Sequence, residues 1–363
     1  MSVQIVADDR PVDVLRALDG PGPVVVVDHR RPPAADLTRW VAQAPPSTWL
    51  IAPTSGSASW PRLVHRTRAS WQASVDAFAG ATATTAGTRV LVPGPLSSTL
   101  FLHAAWHARQ VGATPLTRPI ATDSTWDVAH VVPRQLGALL DAAGDLRGRT
   151  VVVGGAALPP GMAERARARD VRVVAYYGAA ELSFVAVGAD GLRPFPGVEV
   201  ASRDGVLWVR SPFLAIGYLE GSDADRPPGP LRRDSGGWAT VGDRGEIRPD
   251  GSVVVWGRGD IAVQSGGTTV HVADVEAAVR AAPGVTDVVA FGARHLELGQ
   301  VVAVVVESST VTVTQLRHWA RHHLDPGARP RHWLVVPALP RTSAGKVDRT
   351  ATIGLTARAD ARG

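Results

Sequence analysis

The sequence predicts an α/β fold with a large N-terminal domain, built from parallel sheets with helices plus a small β-barrel layer, and a small mobile α+β C-terminal domain. Three observations support this prediction. Short apolar strands alternate with amphipathic helices over residues 88–175, which is typical of a mostly parallel sheet covered by helices. After Gly197 the pattern changes to short strands broken by Gly and Asp, which favours antiparallel hairpins. The last part of the chain then alternates strands and helices as a compact α+β module.

A glycine-flanked segment, Gly257-Arg258-Gly259-Asp260, marks the predicted boundary between the two domains. We expect an N-terminal domain over residues 1–257 and a C-terminal domain over residues 258–363. The C-terminal pattern predicts a hairpin and then the following elements: helices at 272–282 and 313–322, and strands at 285–292, 301–306 and 333–336.

The N-terminal segment predicts an α/β unit. A helical pattern over residues 12–18 precedes four consecutive valines at 24–27, which predict a buried strand. A second apolar run at residues 48–53 leads into a loop of small hydroxyl residues, and a helix is expected at 69–78.

The loop after residue 53 is the first candidate site. It contains Thr54, Ser55, Gly56 and Ser57 and is closed by Arg62. Backbone N–H groups in a loop of this kind, between a strand and a helix, can form an anion-binding nest. The Gly-Lys-Ser/Thr of a Walker A loop is missing, so an ordinary Ser/Gly-rich turn is the alternative interpretation.

Two further strands end in glycine-containing loops. The strand at 150–153 runs into Gly154-Gly155-Ala156-Ala157, and the strand at 171–175 runs into residues 176–181. Ligands of open α/β sheets bind at the carboxyl ends of the strands, so both loops are expected at a binding site. A carboxylate at Glu181 suits a hydrated Mg²⁺ that bridges phosphates, and an acid at a helix N-terminus is the alternative.

A segment near the end of the antiparallel region carries another acid. Gly237-Trp238 leads to Gly242-Asp243, and the Asp243 carboxylate could accept two hydrogen bonds from a ribose diol.

Toward the C-terminus, Lys346 is the only lysine in a chain whose Lys+Arg total is 38. Lysine offers a compact, mobile charge that fits a narrow slot, and the preceding Ser-Ala-Gly would let it move into a site. A solvated turn is the alternative.

Composition restricts the function classes. The chain has no cysteine, which excludes disulfides, thiolate metal sites and a cysteine nucleophile. The pI of about 10.5 accompanies a net charge of only +5, and the arginines are scattered, so anionic small molecules are favoured over nucleic acid. No apolar run is long enough to span a membrane and no leader pattern is evident, so we expect a cytoplasmic protein.

Taken in order, these stretches resemble the signature motifs of the adenylate-forming superfamily, which includes acyl-CoA synthetases, adenylation domains of peptide synthetases and luciferases. The similarity covers residues 50–350. The motifs are the phosphate loop at 54–62, Tyr-Gly-Ala-Ala-Glu at 177–181, Gly-Trp through Gly-Asp at 237–243, the hinge at 257–260, Gly266-Gly267 with Val275-Glu276, and the closing Pro-x-Thr-x-x-Gly-Lys-x-x-Arg at 340–349.

The resemblance implies ATP-dependent adenylation of a small-molecule carboxylic acid followed by transfer to coenzyme A, with Mg²⁺ and ATP bound and with AMP and pyrophosphate released. Lys346, Glu181 and Arg258 are implied to be catalytic, with Glu181 as the metal ligand and Asp260 as the hinge about which the small domain rotates. Binding of nucleotide and coenzyme A is implied for the following residues: Thr54, Ser55, Gly56, Ser57, Arg62, Gly155, Ala156, Ala157, Tyr177, Gly178, Asp243, Gly266 and Gly267. The acid pocket is expected to draw on residues 100–107 and 176–184.

Several positions depart from the family pattern. The phosphate loop has Ala58 and Ser59 where the family has Thr and Gly, Arg62 replaces its lysine, and Ala180 and Val241 replace threonines. These changes are expected to weaken phosphate binding. Since about 53 residues precede the phosphate loop, the N-terminal domain is expected to be shortened.

The branch and the acceptor stay open at this point. The chain resembles both short ligases like o-succinylbenzoate–CoA ligase and a fatty-acyl-CoA-ligase-like branch. A carrier protein or an amine could take the place of coenzyme A, and a degenerate, non-catalytic nucleotide-binding protein is the alternative from another class. A homodimer is one of the oligomeric states that the resemblance allows.

Overall fold

The computed structural model describes residues 3–30, 36–53, 62–120, 125–142, 144–158, 161–219, 230–258, 262–265, 268–295 and 299–360. The first part of the chain forms β1 (Gln4–Ala7), α1 (Pro11–Asp19), β2 (Val24–Val27), α2 (Leu37–Ala42), β3 (Leu50–Pro53) and β4 (Leu63–Arg66). Strands β1, β2 and β3 pair in parallel, and β4 returns antiparallel to β3. The helix at 12–18 and the strand at 24–27 are confirmed. Strand β4 was not predicted, because His65 and Arg66 interrupt the apolar pattern although both are buried.

The second part contains the main sheet. Its elements are α3 (Arg68–Gln72), α4 (Val75–Thr82), β5 (Arg89–Leu91), α5 (Thr99–Gln110), β6 (Thr114–Leu116), β7 (Val128–Val131), α6 (Pro133–Asp141), β8 (Thr150–Val153), α7 (Met162–Arg167), β9 (Arg172–Ala179), β10 (Ser183–Gly188) and β11 (Arg193–Pro194). The strand order is β11-β10-β9-β8-β7-β5-β6. Strands β9, β8, β7, β5 and β6 are parallel, which confirms the predicted parallel sheet, and β10 and β11 extend it antiparallel.

The prediction of one helix over residues 69–78 was wrong. Two short helices, α3 and α4, occupy this region and are separated at Ala73 and Ser74. The Ser74 hydroxyl donates a 2.7 Å hydrogen bond to the carbonyl of Trp71. A serine that bonds to nearby backbone competes with helical hydrogen bonding, which accounts for the break.

The third part forms the expected antiparallel layer. Its strands are β12 (Glu199–Arg203), β13 (Val206–Arg210), β14 (Gly217–Tyr218), β15 (Arg232–Arg233), β16 (Ala239–Thr240), β17 (Asp243–Ile247) and β18 (Val253–Arg258). Asp204 and Gly205 connect β12 to β13 with φ of 52° and 74°, as a tight hairpin turn of the type that the sequence predicts. Strand β14 leaves this layer and pairs with β4, so Tyr218 lies beside Val64.

The last part forms β19 (Ala262–Ser265), β20 (Thr268–His271), α8 (Val272–Arg280), β21 (Asp287–His295), β22 (Gly299–Glu307), α9 (Val313–His323), a 3₁₀ turn (Pro326–Ala328), β23 (His332–Val336) and α10 (Arg349–Asp360). These strands make a sheet of their own, with α8 and α9 packed over its buried valines. The predicted order of helices and strands is present, and α10 is an addition to it. The domain boundary at residue 258 stays a prediction. Within the described ranges no helix has the length and apolar character needed to cross a membrane.

Candidate active site

A cleft lies at the carboxyl ends of β8 and β9, the edge where the sequence predicts glycine-containing loops. Its wall includes Leu100 and His103 from α5, Gly155 after β8, Tyr176 and Phe184 from β9 and β10, and Lys346. Residues 100–107 and 176–184 therefore meet in one cleft, together with the lysine loop from the C-terminal part of the chain.

Lys346 packs against the loop that follows β8. Gly155 has φ of +83°, and a Cβ built there would lie 3.0 Å from Lys346 Cε and 3.3 Å from Leu100 Cδ1. Gly345 has φ of +79°, and a Cβ there would lie 3.1 Å from Val132 Cγ2. Glycine at 155 and 345 therefore lets the two loops approach closely, and the Lys346 side chain lies in a slot bordered by Gly155, Leu100 and Val132.

The lysine loop is anchored at both ends, to strand β22 at one end and to helix α8 at the other. Arg341 donates a 2.8 Å hydrogen bond to Glu307 Oε2, and Arg349 donates a 2.5 Å hydrogen bond to Glu276 Oε1. The backbone N–H of Thr342 donates to the carbonyl of Lys346 at 2.7 Å and closes the turn. These bonds fix both ends of the loop that carries the ammonium group.

Glu181 lies in the tight turn between β9 and β10. Gly178 makes this turn feasible, because a Cβ at that position would lie 2.1 Å from the carbonyl oxygen of Ser183. The Glu181 side chain is only 4% exposed, and its Oε1 accepts a 2.7 Å hydrogen bond from the Tyr218 hydroxyl. Because Tyr218 lies on β14 beside β4, this bond connects Glu181 to the β3–β4 hairpin that flanks residues 54–61. The strand continues to Ala179, so the alternative of a helix N-terminal acid is wrong.

Arg66 is a buried cation that braces the same turn. Its guanidinium donates to the carbonyl of Ala180 at 2.6 Å and to Ser183 Oγ at 2.8 Å. A longer bond of 3.4 Å reaches the carbonyl of Phe213. Burial lowers the pKa of Arg66 to about 9, and the charge of Glu181 opposes that shift. Arg66 is therefore still charged at neutral pH.

Asp243 lies at the start of β17, where it pairs in register with Arg258 at the end of β18. Its Oδ2 accepts a 2.7 Å hydrogen bond from the Tyr177 hydroxyl, two residues before Ala179 in β9. Tyr177, Asp243 and the backbone of Arg258 thus come together from two different sheets.

Glu181 satisfies the requirements of one protein ligand to Mg²⁺. Magnesium is commonly held by one or two carboxylates together with waters and substrate phosphates, and Glu181 is a buried carboxylate in the turn whose Ala180 lines the cleft. A second set of ligand atoms, from Asp8, Asp28 and His29, also lies within 4.8 Å of one another. There Asp8 already accepts hydrogen bonds from Ser97 and His29.

Four other predicted site residues lie within the described ranges. Gly155, Ala156 and Ala157 form an exposed loop after β8, and Arg62 is half-buried immediately before β4. The remaining predictions lie outside the described residues: Thr54, Ser55, Gly56, Ser57, Asp260, Gly266 and Gly267.

Arg66 and Tyr218 were missed by sequence reasoning. A signal for Tyr218 was available in the sequence, because the chain contains only three tyrosines. In the structure each of them lies in the cleft wall or contacts a predicted site carboxylate: Tyr176, Tyr177 and Tyr218. Arg66 offered no such signal, because arginine is used throughout the chain.

The chain is similar to known proteins over nearly its whole length. It matches the AMP-binding enzyme family over residues 4–219 and the AMP-binding enzyme C-terminal domain over residues 274–346. It is 25% identical to the uncharacterized acyl–CoA ligase YhfT of Bacillus subtilis, over 92% of this chain and 74% of that protein. It is 31% identical to the 2-succinylbenzoate–CoA ligase of Escherichia coli, over 61% of this chain and 49% of that enzyme. The chain thus covers about half the length of the latter.

Solved structures share the fold. A variant of E. coli MenE with bound OSB-AMS superimposes with a TM-score of 0.82 at 22% identity, covering 99% of this chain and 88% of that one. The amide bond synthetase McbA of Marinactinospora thermotolerans gives a TM-score of 0.73 at 24% identity, covering 98% and 79%. The chain therefore belongs to the AMP-binding enzyme family, within the adenylate-forming superfamily of AMP-forming ligases.

Proposed function

We propose that this protein is an acid–CoA ligase. A carboxylate oxygen attacks the α-phosphate of ATP, forming an acyl-adenylate and releasing pyrophosphate. The thiol of coenzyme A then attacks the acyl carbonyl, forming the thioester and releasing AMP and a proton. One observation carries the proposal: the single lysine, on a loop of the C-terminal part, lies in the cleft where β8 and β9 end, next to the turn that holds Glu181.

Charge complementarity supports the first half-reaction. Negative charge develops on the α-phosphate and its leaving group during adenylation, and positioned cations stabilise it. Lys346 provides such a cation in a partly buried slot, so we assign it the contact to the carboxylate and phosphate oxygens. Glu181 would hold Mg²⁺, which when bound neutralises phosphate charge.

The remaining residues are assigned to nucleotide binding. Asp243 would accept hydrogen bonds from the ribose hydroxyls, with Arg258 next to it in register, and Gly155, Ala156 and Ala157 would lie beside the adenine. Thr54, Ser55, Gly56, Ser57 and Arg62 would contact the phosphates from the β3–β4 connection. Rotation of residues 258–363 about Asp260 would then withdraw Lys346 and present Gly266 and Gly267 to the thiol.

Coenzyme A is the proposed acceptor because two of the relatives are named as CoA ligases and match much of this chain. A carrier protein and an amine are the competing acceptors. Another relative is the fatty acid–[acyl-carrier-protein] ligase MmaC of Mycobacterium marinum, which is 31% identical over 45% of this chain and 31% of that protein.

Pyrophosphate release with ATP, Mg²⁺ and a panel of carboxylic acids tests the first half-reaction. We expect release with at least one acid, and then consumption of coenzyme A thiol with that acid. Nucleotide binding without pyrophosphate release for any acid would favour a non-catalytic protein. If an acid supports pyrophosphate release but no thiol is consumed, the acceptor is not coenzyme A. Repeating the assay with a carrier protein or an amine in place of coenzyme A would then identify the acceptor.

A further inference from the structure

His103 is a buried histidine on α5 that contributes to the wall of the cleft containing Lys346. It is 5% exposed. Both ring nitrogens, Nδ1 and Nε2, are shielded from solvent, and neither has a hydrogen-bond partner among the described residues. Buried polar groups are nearly always hydrogen-bonded in native proteins, so a ring with two unsatisfied nitrogens at a ligand cleft needs an explanation.

The surroundings of His103 are aromatic. Its ring centroid lies 4.9 Å from that of Trp71, 4.8 Å from Phe184 and 5.2 Å from Phe78, each at nearly a right angle. These rings supply apolar contact but no carbonyl or carboxylate acceptor. Within this aromatic group Trp71 can only donate, through its indole N–H, so the His103 ring supplies the one nitrogen acceptor that a molecule deep in this part of the cleft would meet.

His103 is uncharged at neutral pH. Burial, together with the nearby His107, His130 and Arg66, holds the pKa of His103 well below its ordinary value. A neutral imidazole has one N–H donor and one acceptor nitrogen. It therefore suits a neutral polar group such as a hydroxyl or a carbonyl.

We infer that His103 determines specificity for acids that carry a neutral hydrogen-bonding group, a hydroxyl or a carbonyl, on an otherwise apolar body, and that this group bonds to the His103 ring. The inference rests on the proposed function, because it names the class of acid that the cleft adenylates. A site built to hydrogen-bond a polar substituent discriminates strongly against the analogue that lacks it, since the buried polar atoms of the protein are then left unpaired.

His130 provides a matched control. It is also buried, 2% exposed, with an Nε2 that has no hydrogen-bond partner in the described part of the chain. It lies on β7 and is absent from the described wall of the cleft. Loss of His130 should therefore affect stability without affecting the choice of acid.

The experiment compares pairs of acids that differ in one polar group. Benzoate, phenylacetate and 3-phenylpropionate are each paired with their ring-hydroxylated and keto derivatives. Binding is measured by calorimetry without ATP, and turnover is measured by pyrophosphate release. We expect at least one polar acid to exceed its parent by about tenfold or more in both affinity and kcat/KM. His103→Phe should abolish this preference, His103→Gln should keep part of it, and His130→Phe should leave it unchanged.

Two outcomes overturn the inference. In the first, no polar acid exceeds its parent in either measurement. In the second, His103→Phe reduces the parent and the polar acid equally, which is the result expected for a histidine that only packs the core. Failure of the proposed function looks different: acids would bind with the His103-dependent preference, and no pyrophosphate would be released.

Discussion

The Tyr218 hydroxyl donates a 2.7 Å hydrogen bond to Glu181 Oε1 and so joins two parts of the chain that are 37 residues apart. Tyr218 belongs to a two-residue strand that pairs with β4, whereas Glu181 lies in the turn after β9. The bond fixes one oxygen of a buried carboxylate next to the hairpin that flanks the predicted phosphate loop. Tyr218 therefore positions the proposed metal ligand.

The first prediction concerns this pair. Glu181→Gln keeps an acceptor for Tyr218 but removes the negative charge, so turnover at fixed MgATP should fall by about 10². Tyr218→Phe keeps the negative charge of Glu181 and removes only the hydrogen bond that orients its carboxylate. Turnover of this variant should therefore fall by no more than about tenfold. Pyrophosphate release measured across a range of Mg²⁺ concentrations checks both variants, and Glu181→Gln should also need more Mg²⁺. Unchanged kinetics in both would show that Glu181 is not the metal ligand.

The second prediction concerns nucleotide affinity. Asp243 accepts a hydrogen bond from Tyr177 and lies in register with Arg258. If Asp243 binds the ribose, Asp243→Ala should weaken ATP binding by about tenfold or more, because hydrogen bonds to a charged group are lost. Tyr177→Phe should have a smaller effect. Calorimetric titration with ATP measures both, and Asp145→Ala, which removes a carboxylate paired with Arg147 at the surface, is the control. Equal affinities for ATP in Asp243→Ala and the control would contradict the assignment.

The third prediction concerns Arg66. Its guanidinium bonds to the Ala180 carbonyl, to Ser183 and to Phe213, and an ammonium cannot reach all of these acceptors. Arg66→Lys should therefore lower the free energy of unfolding by about 2–3 kcal/mol. The surface pair of Arg89 with Asp127 provides the comparison, and Arg89→Lys should cost less than about 1 kcal/mol. Urea denaturation measures the difference. Similar losses in the two variants would mean that Arg66 does not brace the turn.

The sequence predicted the parts of this molecule that local patterns determine. Four valines at 24–27 favour a buried strand, and Asp204-Gly205 between alternating residues favours a hairpin, because burial and turn geometry act over a few residues. Composition singled out Lys346 as the only lysine, and the resemblance to the family gave the motif around it. In each case the signal lies within one short segment.

Arg66 shows why the rest of the site could not be predicted. Its environment is set by Ala180 and Phe213, which are 114 and 147 residues away along the chain. The local Val-His-Arg-Thr-Arg pattern gives no sign of burial, which comes from contacts with the β9–β10 turn and with Phe213. For the same reason the hydrogen bond of Tyr218 to Glu181 depends on a pairing of β14 with β4 that no local pattern specifies.

The fourth prediction concerns acid stability. Burial lowers the pKa of His130 to about 3, whereas the unfolded chain has an ordinary histidine pKa of about 6.5. Between these values the unfolded state binds a proton that the folded state does not, so stability falls as pH falls below about 6.5. The loss from His130 alone between pH 7.5 and 5.5 should be about 1.4 kcal/mol.

Urea denaturation at the two pH values tests this. His130→Leu removes one such group, so its stability should depend less steeply on pH than that of the unchanged protein. The comparison uses the pH dependence and not the absolute stability, because the substitution also changes packing. An identical pH dependence in the two proteins would show that His130 is not buried as a neutral ring.

The last prediction concerns Lys346, whose Cε would lie 3.0 Å from a Cβ at Gly155. If residues 258–363 rotate after adenylation, Lys346 is needed only for the first half-reaction. Lys346→Ala should then reduce acid-dependent pyrophosphate release by about 10² or more, the scale of one charge contact in a transition state. Thioester formation from a presynthesised acyl-adenylate should be nearly unchanged. Equal loss of both half-reactions would argue against the rotation.

Lys346→Arg separates charge from shape at the same position. Arginine keeps the positive charge but has a bulkier planar head, and the slot between Gly155, Leu100 and Val132 leaves little room for it. Adenylation should therefore fall in Lys346→Arg nearly as far as in Lys346→Ala, measured by the same pyrophosphate assay. Gly155→Ala is the complementary variant, since it narrows the slot from the other side and should also slow adenylation. The chain uses arginine at all its other Lys or Arg positions, so a lysine here implies that the slot selects an ammonium group. Full activity of Lys346→Arg would contradict that selection.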